Sequence, residues 1–519
     1  MDFDRLIAQL PEKKAAIRTL ERGKAVRRPY AALAGDVARV KAQLLAWGVR
    51  PRNRVGIYAP NSYDGLVHDL ALIEIGAISV PFTDDFAGSV NEELLDRYDI
   101  ALLLISRNHA RLFPQRPAHV AFMDGDNAAV SALERAAADD ADLEDQFSLV
   151  FSSGSAGGLK GLVISRKGAA STLPPIVEAI GIRDDDRLLM FLPMSNFQQR
   201  NMCYAALWRD IDIIITDYTQ LFNAMRLLQP TVLIAPPVLY QMVYADFEKQ
   251  SAVRRALRTG VGRLLSLVPG PDRRLALARR LLRPLHDQFG GRMRVLVTGM
   301  APIRRNVSAF FRNMQLPLCE SYGMVESGSL TFRPAHSRKD GSVGRTLPGV
   351  ELHFAPDGEI IVQRDNPLTL RYFQCAGGEN ERTFVGEKKV ATGDIGRMDV
   401  DGDVFLLGRK KELIVTPGGY KVHPEIIEQE VNRSPDVAHS VIFLKQGANF
   451  LTCVIDLCPP DDDAARARVK KHIEGLSSTR KAAQFVEVIF AGEAFSRENG
   501  LLRPNLKIDR RAIEARYGR

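Results

Sequence analysis

Serines, glycines and a lysine near residue 155 form a pattern that could bind a polyphosphate. The apolar run Leu149–Phe151 is followed by the sequence SSGSAGGLK, which ends at Lys160. Glycines let backbone N–H groups turn toward an anion, serine hydroxyls add hydrogen-bond donors, and the lysine adds a positive charge. The candidate phosphate-binding residues are Ser152, Ser153, Gly154, Ser155, Gly157 and Lys160.

Two features narrow the interpretation of this stretch. It is not a Walker A loop, because Leu159 and Gly161 flank the lysine where that motif has glycine and then serine or threonine. A second β-like run, Gly161–Ser165, follows, so the spacing predicts a strand, a loop and a strand. The alternative interpretation is a flexible surface loop without a ligand.

Length, charge and cysteine content limit the class of protein. A chain of 519 residues is too long for one compact core and predicts two or more domains. The formal net charge of +8 favours acidic partners such as nucleotides, acidic carrier proteins or anionic lipid, and we expect no nucleic-acid partner. The five cysteines lack metal-ligand spacing and predict a cytoplasmic protein. We expect neither a signal peptide nor a membrane-spanning segment.

Helical and extended patterns alternate along the first part of the chain. Apolar residues on one helical face run from 30 to 49, and buried strands are predicted over 54–59, 101–105 and 119–123. This alternation predicts an α/β fold with layered, largely buried sheets. The three consecutive aspartates at 184–186 precede another strand and are interpreted as a turn rather than a metal site.

Two later stretches add residues that could contact a nucleotide. The predicted strand 294–298 ends in the sequence GMAP, and Tyr322 lies beside Gly323 and four positions before Glu326. An aromatic ring can stack on a base, and a carboxylate can hold Mg²⁺ against phosphate. Each signal is weak by itself, because a tyrosine in such a strand is more often a packed core residue.

The order of these motifs is more informative than any one of them. They are followed by TGD ending at Asp394, by GRKKE starting at Gly408, and by PNLK ending at Lys507. In this order the series resembles the adenylate-forming superfamily, which includes acyl-CoA synthetases, luciferase-like enzymes and peptide-synthetase adenylation domains. The resemblance implies an ATP- and Mg²⁺-dependent acid–thiol ligase. In that family a carboxylic acid attacks the α-phosphate of ATP, pyrophosphate leaves, and a thiol takes the acyl group from the acyl-adenylate.

The resemblance also implies a role for each matching residue. Besides the phosphate loop, the residues implied to bind ATP are Met300, Ala301 and Pro302 near adenine, Ser321, Tyr322, Asp394 at the ribose, and Arg409 near the ribose and phosphates. The residues implied to line the acyl pocket are Asn196, Phe197, Gly299, Gly323 and Met324. Glu326 would hold Mg²⁺. Lys507 would bridge the carboxylate and α-phosphate oxygens, because a cation is needed to bring two anions together.

The domain organisation follows from the same resemblance. It implies a large N-terminal domain with several subdomains over residues 1–408 and a small, mobile α+β lid over residues 409–519. Lys411 falls at the hinge position, and rotation of the lid would move Lys507 into and out of the site.

The substrate and the acceptor are less closely specified by the sequence. The segment LPMSNFQQR, which ends at Arg200, is similar to a motif of long-chain fatty acyl-CoA synthetases, so we expect a fatty acid and either coenzyme A or the phosphopantetheine of an acyl carrier protein. Ala156, Leu159, Asn196 and Val325 depart from the family pattern. Two alternatives stay open: a non-catalytic acyl or nucleotide sensor, and an adenylating enzyme for an aryl or amino acid.

A basic, leucine-rich segment spans residues 249–292. Its arginines are Arg254, Arg255, Arg258, Arg263, Arg273, Arg274, Arg279, Arg280, Arg283 and Arg292. Residues 271–285 are predicted to form one helix with a leucine stripe flanked by arginines. We interpret the segment as a peripheral contact with membrane or carrier protein. The alternative is a core-facing helix whose arginine stems cover its edges.

Overall fold

Two large sheets and a small C-terminal sheet carry the helices of this chain. The computed structural model describes residues 1–82, 86, 90–124, 127, 130–134, 145–153, 159–375, 377–417, 421–445, 447–448, 450–458, 462–479, 486–496, 498–502 and 508–518. The helices in these ranges are α1 (Phe3–Ala8), α2 (Tyr30–Ala46), α3 (Tyr63–Ile75), α4 (Glu92–Arg97), α5 (Arg166–Ile180), α6 (Phe197–Arg209), α7 (Leu221–Leu228), α8 (Pro237–Glu248), α9 (Ala252–Ser266), α10 (Pro271–Leu281), α11 (Arg283–His286), α12 (Arg305–Asn313), α13 (Glu379–Thr383), α14 (Pro424–Val431), α15 (Asp463–Thr479) and α16 (Arg510–Tyr517).

The strands lie between these helices. In chain order they are β1 (Ala16–Glu21), β2 (Lys24–Pro29), β3 (Arg54–Tyr58), β4 (Ile78–Pro81), β5 (Ile100–Ile105), β6 (Val120–Phe122), β7 (Gln146–Ser153), β8 (Leu159–Ser165), β9 (Arg187–Met190), β10 (Asp212–Ile215), β11 (Val232–Ala235), β12 (Val295–Thr298), β13 (Leu318–Met324), β14 (Gly328–Arg333), β15 (Ser342–Thr346), β16 (Glu351–Phe354), β17 (Glu359–Gln363), β18 (Thr369–Phe373), β19 (Lys389–Met398), β20 (Asp403–Arg409), β21 (Ile414–Val415), β22 (Lys421–Val422), β23 (Val437–Leu444), β24 (Leu451–Leu457) and β25 (Val486–Phe490).

The first large sheet contains the strands that end at the candidate site. Its order is β16-β17-β19-β20-β15-β14-β13-β12-β11-β9-β10-β1-β2. The strands β10, β9, β11, β12 and β13 are parallel, so their carboxyl ends share one edge. The second large sheet has the order β18-β8-β7-β4-β3-β5-β6, and β7 and β8 form an antiparallel pair. The α/β fold with layered sheets is therefore confirmed.

A fully buried polar cluster joins α3 and α6 to the second sheet. Nη2 of Arg200 lies 2.6 Å from Oδ1 of Asp69, and neither side chain is exposed to solvent. The hydroxyl of Tyr204 donates to Oδ2 of Asp69 at 2.5 Å, and that of Ser79 donates to Oδ1 at 2.9 Å. Nη1 of Arg200 donates to Oγ of Ser148 at 2.8 Å. These contacts link β4 and β7 to the helices beneath them.

The last part of the chain has a separate sheet and separate apolar clusters. The strands β23, β24 and β25 form a three-stranded sheet, and β21 and β22 form a short ribbon. One apolar cluster lies between this sheet and α14 and α15, and a second includes residues of α16. Nη1 of Arg304 donates to the carbonyl of Val437 at 2.9 Å and thereby ties this unit to the larger part of the chain.

Several local predictions are confirmed and one is wrong in extent. The strand–loop–strand pattern near Lys160 is observed as β7 and β8. The single helix predicted over 271–285 is instead two helices, α10 and α11, separated at Leu282. Pro284 has no N–H to donate to the carbonyl of Arg280, which favours a break at this point, although α5 continues through Pro174 and Pro175. None of the helices in the described ranges combines the length and apolar character that a bilayer-spanning segment needs.

Candidate active site

A carboxylate on β19, inside the first large sheet, is held by an arginine and a tyrosine. In the pairing of β19 with β20, Asp394 lies opposite Arg409. Nε of Arg409 is 3.0 Å from Oδ1 of Asp394, and the hydroxyl of Tyr322 donates to Oδ2 at 2.9 Å. Burial raises the pKa of Asp394, and the guanidinium of Arg409 opposes that rise. Among the described residues, Oδ2 therefore has one hydrogen-bond donor and Oδ1 has an ion-pair contact, so both oxygens keep acceptor capacity.

The Thr-Gly-Asp sequence explains the orientation of Asp394. Oγ1 of Thr392 accepts a hydrogen bond from the backbone N–H of Asp394 at 3.0 Å and donates to the carbonyl of Ile360 at 2.9 Å. The N–H of Gly393 donates to Oε1 of Glu359 at 3.1 Å. The local hydrogen bonds fix the backbone, so the Asp394 carboxylate projects toward Tyr322 from a rigid strand.

The end of β12 lies beside β13, the strand that carries Tyr322. Met300 has φ of +70°, a left-handed conformation that is uncommon for residues other than glycine. Ala301 and Pro302 are exposed, as expected for residues that could border a base. Oγ of Ser321 donates to the carbonyl of Thr331 at 3.1 Å, so this hydroxyl joins β13 to β14.

Two side chains lie beside Lys160, the lysine predicted to bind phosphate. Its Nζ lies 2.8 Å from Oε1 of Glu379 and 4.9 Å from the ring centroid of Tyr372. The Tyr372 hydroxyl donates to Oε1 of Glu326 at 2.9 Å. Tyr372 thus connects the predicted phosphate-binding lysine to the predicted Mg²⁺ ligand. The predicted phosphate ligands Gly154, Ser155 and Gly157 lie outside the described residues, and the backbone of Ser152 and Ser153 ends β7.

The sequence analysis missed Tyr372 and Glu379. Tyr372 lies in an apolar strand whose pattern indicates only burial, and Glu379 begins the short helix α13 after a glycine-rich stretch. Burial and then the negative charge of Glu326 raise the pKa of Tyr372, so this phenol remains a hydrogen-bond donor. Neither residue had a motif that could have identified it before its neighbours were known.

Arg409 is paired with Asp394. Burial lowers the pKa of Arg409, but the charges of Asp394, of Glu412 and, more weakly, of Glu326 raise it above its ordinary value. In the described part of the chain, no group of three or more His, Cys, Asp or Glu residues could hold a metal ion. Mg²⁺ commonly takes one or two carboxylates and completes its shell with water and substrate phosphates, so the single carboxylate of Glu326 fits a nucleotide-bound Mg²⁺.

The predicted acyl-pocket residues have different surroundings. Asn196 caps α6 by accepting the N–H of Gln199 at 3.1 Å, and its Nδ2 lies 3.9 Å from Sδ of Met300. Phe197 is buried and packs edge-on against Phe147. Gly299, Gly323 and Met324 lie at or near the ends of β12 and β13 and are half-buried. Asn196 therefore lies beside Met300, which is predicted to border adenine, while the Phe197 side chain faces the core.

The predicted hinge lies directly after the site. Residues Lys410–Glu412 form a 3₁₀ turn, and Nζ of Lys410 lies 2.8 Å from Oδ2 of Asp357 on the larger part of the chain. Partial desolvation lowers the pKa of Lys411, and the nearby Arg409 and Lys160 lower it further. The predicted catalytic lysine, Lys507, lies outside the described residues.

Carboxylates surround the start of the C-terminal unit. Gly408 has φ of +147°, and a Cβ at this position would lie 2.6 Å from Oε2 of Glu425. Nε of Arg510 lies 3.1 Å from Oε2 of Glu412, and Nη1 donates to Oε1 of Glu428 at 2.8 Å. Burial and a hydrogen bond with Glu412 raise the pKa of Glu425 to about 8. The Glu412–Glu425 pair therefore holds a proton near neutral pH.

Comparison with known proteins identifies the family. The model of the family described as AMP-binding enzyme matches residues 3–365, so the chain belongs to the AMP-binding enzyme family. The long-chain-fatty-acid–CoA ligase FadD15 of Mycobacterium bovis is 28% identical over 474 residues, which are 82% of this chain and 77% of that protein. The indoleacetate–CoA ligase of Aromatoleum aromaticum is 27% identical over 522 residues, covering 94% of this chain and 93% of that protein.

Solved structures show the same fold. The anthranilate CoA ligase AuaEII, in complex with anthranoyl-AMP, superposes with a TM-score of 0.78 at 16% identity, over 99% of this chain and 97% of that chain. The assignment to the adenylate-forming superfamily is therefore confirmed, and with it the class of an AMP-forming acid–thiol ligase.

Proposed function

We propose that this chain activates a fatty acid with ATP and transfers the acyl group to coenzyme A. The acid would attack the α-phosphate, pyrophosphate would leave, and the acyl-adenylate would react with the thiol. The long-chain-fatty-acid–CoA ligase FadD15 of Mycobacterium bovis supports the fatty acid and coenzyme A as substrates. The indoleacetate–CoA ligase keeps an aryl acid as the alternative substrate.

The observation that supports this function best is that predicted ATP-binding residues form two contacting groups, one around Asp394 and one around Lys160. Asp394 keeps acceptor capacity on both oxygens and would bind the two ribose hydroxyls. Lys160, which contacts Glu379 and the ring of Tyr372, would meet the β- and γ-phosphates. Mg²⁺, held by Glu326 and the phosphates, would supply charge neutralisation at the leaving pyrophosphate.

The C-terminal unit supplies the remaining cation in this proposal. Residues 1–408 would form the large domain and residues 409–519 the lid, with the hinge at Lys411. The separate sheet and apolar clusters of the C-terminal unit support this division. Lys507 would stabilise the negative charge that accumulates in adenylate formation, and lid rotation would then admit the thiol. Its assignment rests on the sequence motif alone.

Location and macromolecular partners belong to the same proposal. All five cysteines are free, which supports the reducing cytoplasm. We propose a peripheral contact through residues 249–292 for collecting a substrate that partitions into membrane. An acyl carrier protein is the alternative thiol donor and would meet the same basic segment.

ATP–pyrophosphate exchange measured across fatty and aryl acids tests this function. We expect Mg²⁺-dependent exchange with a fatty acid, followed by acyl-CoA formation when coenzyme A is added. Lys507→Ala should abolish exchange but leave thioester formation from synthetic acyl-adenylate largely intact. Measurable ATP binding without exchange for any acid would instead identify a non-catalytic sensor.

A further inference from the structure

The most apolar stripe of α9 faces solvent instead of the core. Its side chains are exposed at 78% for Val253, 67% for Leu257, 68% for Leu264 and 79% for Leu267. These positions are spaced i, i+4, i+11 and i+14, so they lie along one side of the helix. An ordinary surface helix has the opposite arrangement, with its apolar stripe against the core.

The contacts of α9 explain why this stripe is outside. Gly262, on the opposite side of the helix, packs so closely on the end of α12 that a Cβ would lie 2.2 Å from the carbonyl oxygen of Asn313. Nε2 of Gln315 donates to the carbonyl of Gly262 at 3.1 Å. Leu265 is buried on the same side. The packed face is therefore fixed by a glycine, and the leucines are left without a partner among the described residues.

The next helix also has exposed apolar side chains. Leu277 and Leu281, one helical turn apart on α10, are exposed, whereas the residues that follow each of them, Ala278 and Leu282, are buried. The helices α9 and α10 pack against each other. We call residues 252–281 the arginine–leucine hairpin.

Arginines flank the exposed leucines of the hairpin. The neighbouring acids are already paired: Glu248 with Arg255, and Asp272 with Arg183. The exposed arginines without a carboxylate partner in the described ranges are Arg254, Arg263, Arg273 and Arg280. The surface therefore combines aliphatic side chains with positive charges that nothing in the described structure neutralises.

We infer that the arginine–leucine hairpin docks on the surface of an anionic lipid bilayer. Leucine side chains on an exposed helical stripe can enter the boundary between headgroups and acyl chains, while flanking arginines reach the phosphates. We assign an anionic bilayer as the partner because the arginines complement its negative charge and the exposed leucines complement its apolar interior. The inference names a membrane partner for the proposed fatty-acid ligase. It rests on that function only for the identity of the substrate, a fatty acid, that the enzyme would collect from the bilayer.

Vesicle sedimentation tests the bilayer as the partner. The purified full chain, without ATP or acid, is mixed with phosphatidylcholine vesicles with or without phosphatidylglycerol, at low and high salt. We expect sedimentation with the anionic vesicles at low salt and little with neutral vesicles. Leu257→Gln/Leu264→Gln should lower the partition coefficient about tenfold, because the polar amides cannot enter the acyl region.

A second variant tests the charges, and a variant with two substitutions elsewhere on the surface serves as the control. Replacing Arg254, Arg263, Arg273 and Arg280 with glutamine should lower the partition coefficient at least about tenfold at low salt. Val385→Gln/Val400→Gln replaces two exposed apolar side chains elsewhere and should bind like the unmodified chain. All substitutions are at exposed positions, so thermal unfolding and pyrophosphate exchange with a soluble acid should remain unchanged.

The outcomes separate this inference from the proposed function. Absence of exchange with intact vesicle binding would contradict only the ligase. Equal sedimentation of the hairpin variants and the control would overturn the bilayer assignment. So would a dimer that the Leu257→Gln/Leu264→Gln variant dissociates, or salt-dependent binding to an acidic carrier protein without vesicle binding.

Discussion

Two clusters in this protein use the same three residue types, arginine, aspartate and tyrosine, in different ways. Around Asp69 all four acceptor positions are filled: Oδ1 by Ser79 and Arg200, and Oδ2 by Arg200 and Tyr204. Around Asp394 the described residues supply one hydrogen bond, from Tyr322 to Oδ2, and an ion-pair contact from Arg409 to Oδ1. The Arg200 side chain is fully buried, whereas that of Arg409 is 52% exposed.

The comparison indicates what distinguishes a structural cluster from a binding cluster. A closed cluster has no capacity for a ligand, and its charges are stabilised only by each other. An open cluster holds its carboxylate in place and keeps acceptor positions for a second partner. Residue type alone does not distinguish a structural cluster from a binding cluster, but the number of filled hydrogen-bond positions does.

The largest effect is expected from breaking the closed cluster. Asp69→Ala leaves the Arg200 guanidinium buried without its counter-charge and should lower the free energy of unfolding by about 3–5 kcal/mol. Urea denaturation can be followed by the fluorescence of Trp208, which lies on the same helix as Arg200. Asp69→Leu/Arg200→Met should recover most of the loss. A loss below about 1 kcal/mol in Asp69→Ala would show that the cluster tolerates an unpaired charge.

The second prediction tests the open cluster. Asp394→Asn should weaken ATP binding about 10- to 100-fold, because hydrogen bonds to a charged group contribute about 1.5–3 kcal/mol each. The free energy of unfolding should change little, since Arg409 can be solvated. Calorimetric titration with ATP measures the first effect. Asp69→Asn is the matched control and should show the reverse: reduced stability with normal ATP affinity of the folded protein.

A smaller effect is expected between the two halves of the site. Tyr372→Phe removes the hydrogen bond to Glu326 but keeps the ring near Lys160. The loss of about 0.5–1.5 kcal/mol should raise the Mg²⁺ concentration required for pyrophosphate exchange about two- to tenfold. If Tyr372→Phe leaves the Mg²⁺ dependence unchanged, the tyrosine does not position Glu326 for the metal.

A dependence on pH is expected from a cluster in which two glutamates share a proton. Since the folded-state pKa of Glu425 is about 8 and its ordinary value is 4.5, the folded protein binds more protons than the unfolded chain between these values. Stability should therefore fall as the pH rises through this window, and Glu425→Gln should flatten the dependence. One pKa unit corresponds to about 1.4 kcal/mol, so the fall between pH 5 and pH 8 should be at most about 4 kcal/mol. Unfolding midpoints at pH 5 and pH 8.5 measure it, and parallel curves for both proteins would contradict the assignment.

Local patterns were sufficient for many elements of the fold. The helix that begins at Tyr30, the β7–β8 hairpin and the buried strand β12 all agree with predictions from spacing and turn residues. Such elements depend on neighbours within a few positions of the chain, so the sequence contains the necessary information. The split between α10 and α11 shows the same principle, because Pro284 could have indicated it.

The site was predicted only in part, because its contacts join distant residues. The motifs predicted roles for Lys160 and Glu326 but did not indicate Glu379, which pairs with Lys160, or Tyr372, which donates to Glu326. Likewise, no local pattern shows that Arg200 lies against Asp69, which is 131 positions away. Whether a carboxylate is closed or open depends on every donor that the fold brings to it.

By itself, the sequence determined the order of the motifs, the chemistry they can perform and the residues that share each helical face. Only the tertiary structure decided which face of α9 is covered. Periodicity places Val253, Leu257 and Leu264 together, but it does not say whether they are buried. That depends on the close approach of Gly262 to Asn313, which turns the leucines away from the core. A helix can bury only the side that fits its neighbour, and that neighbour lies elsewhere in the chain.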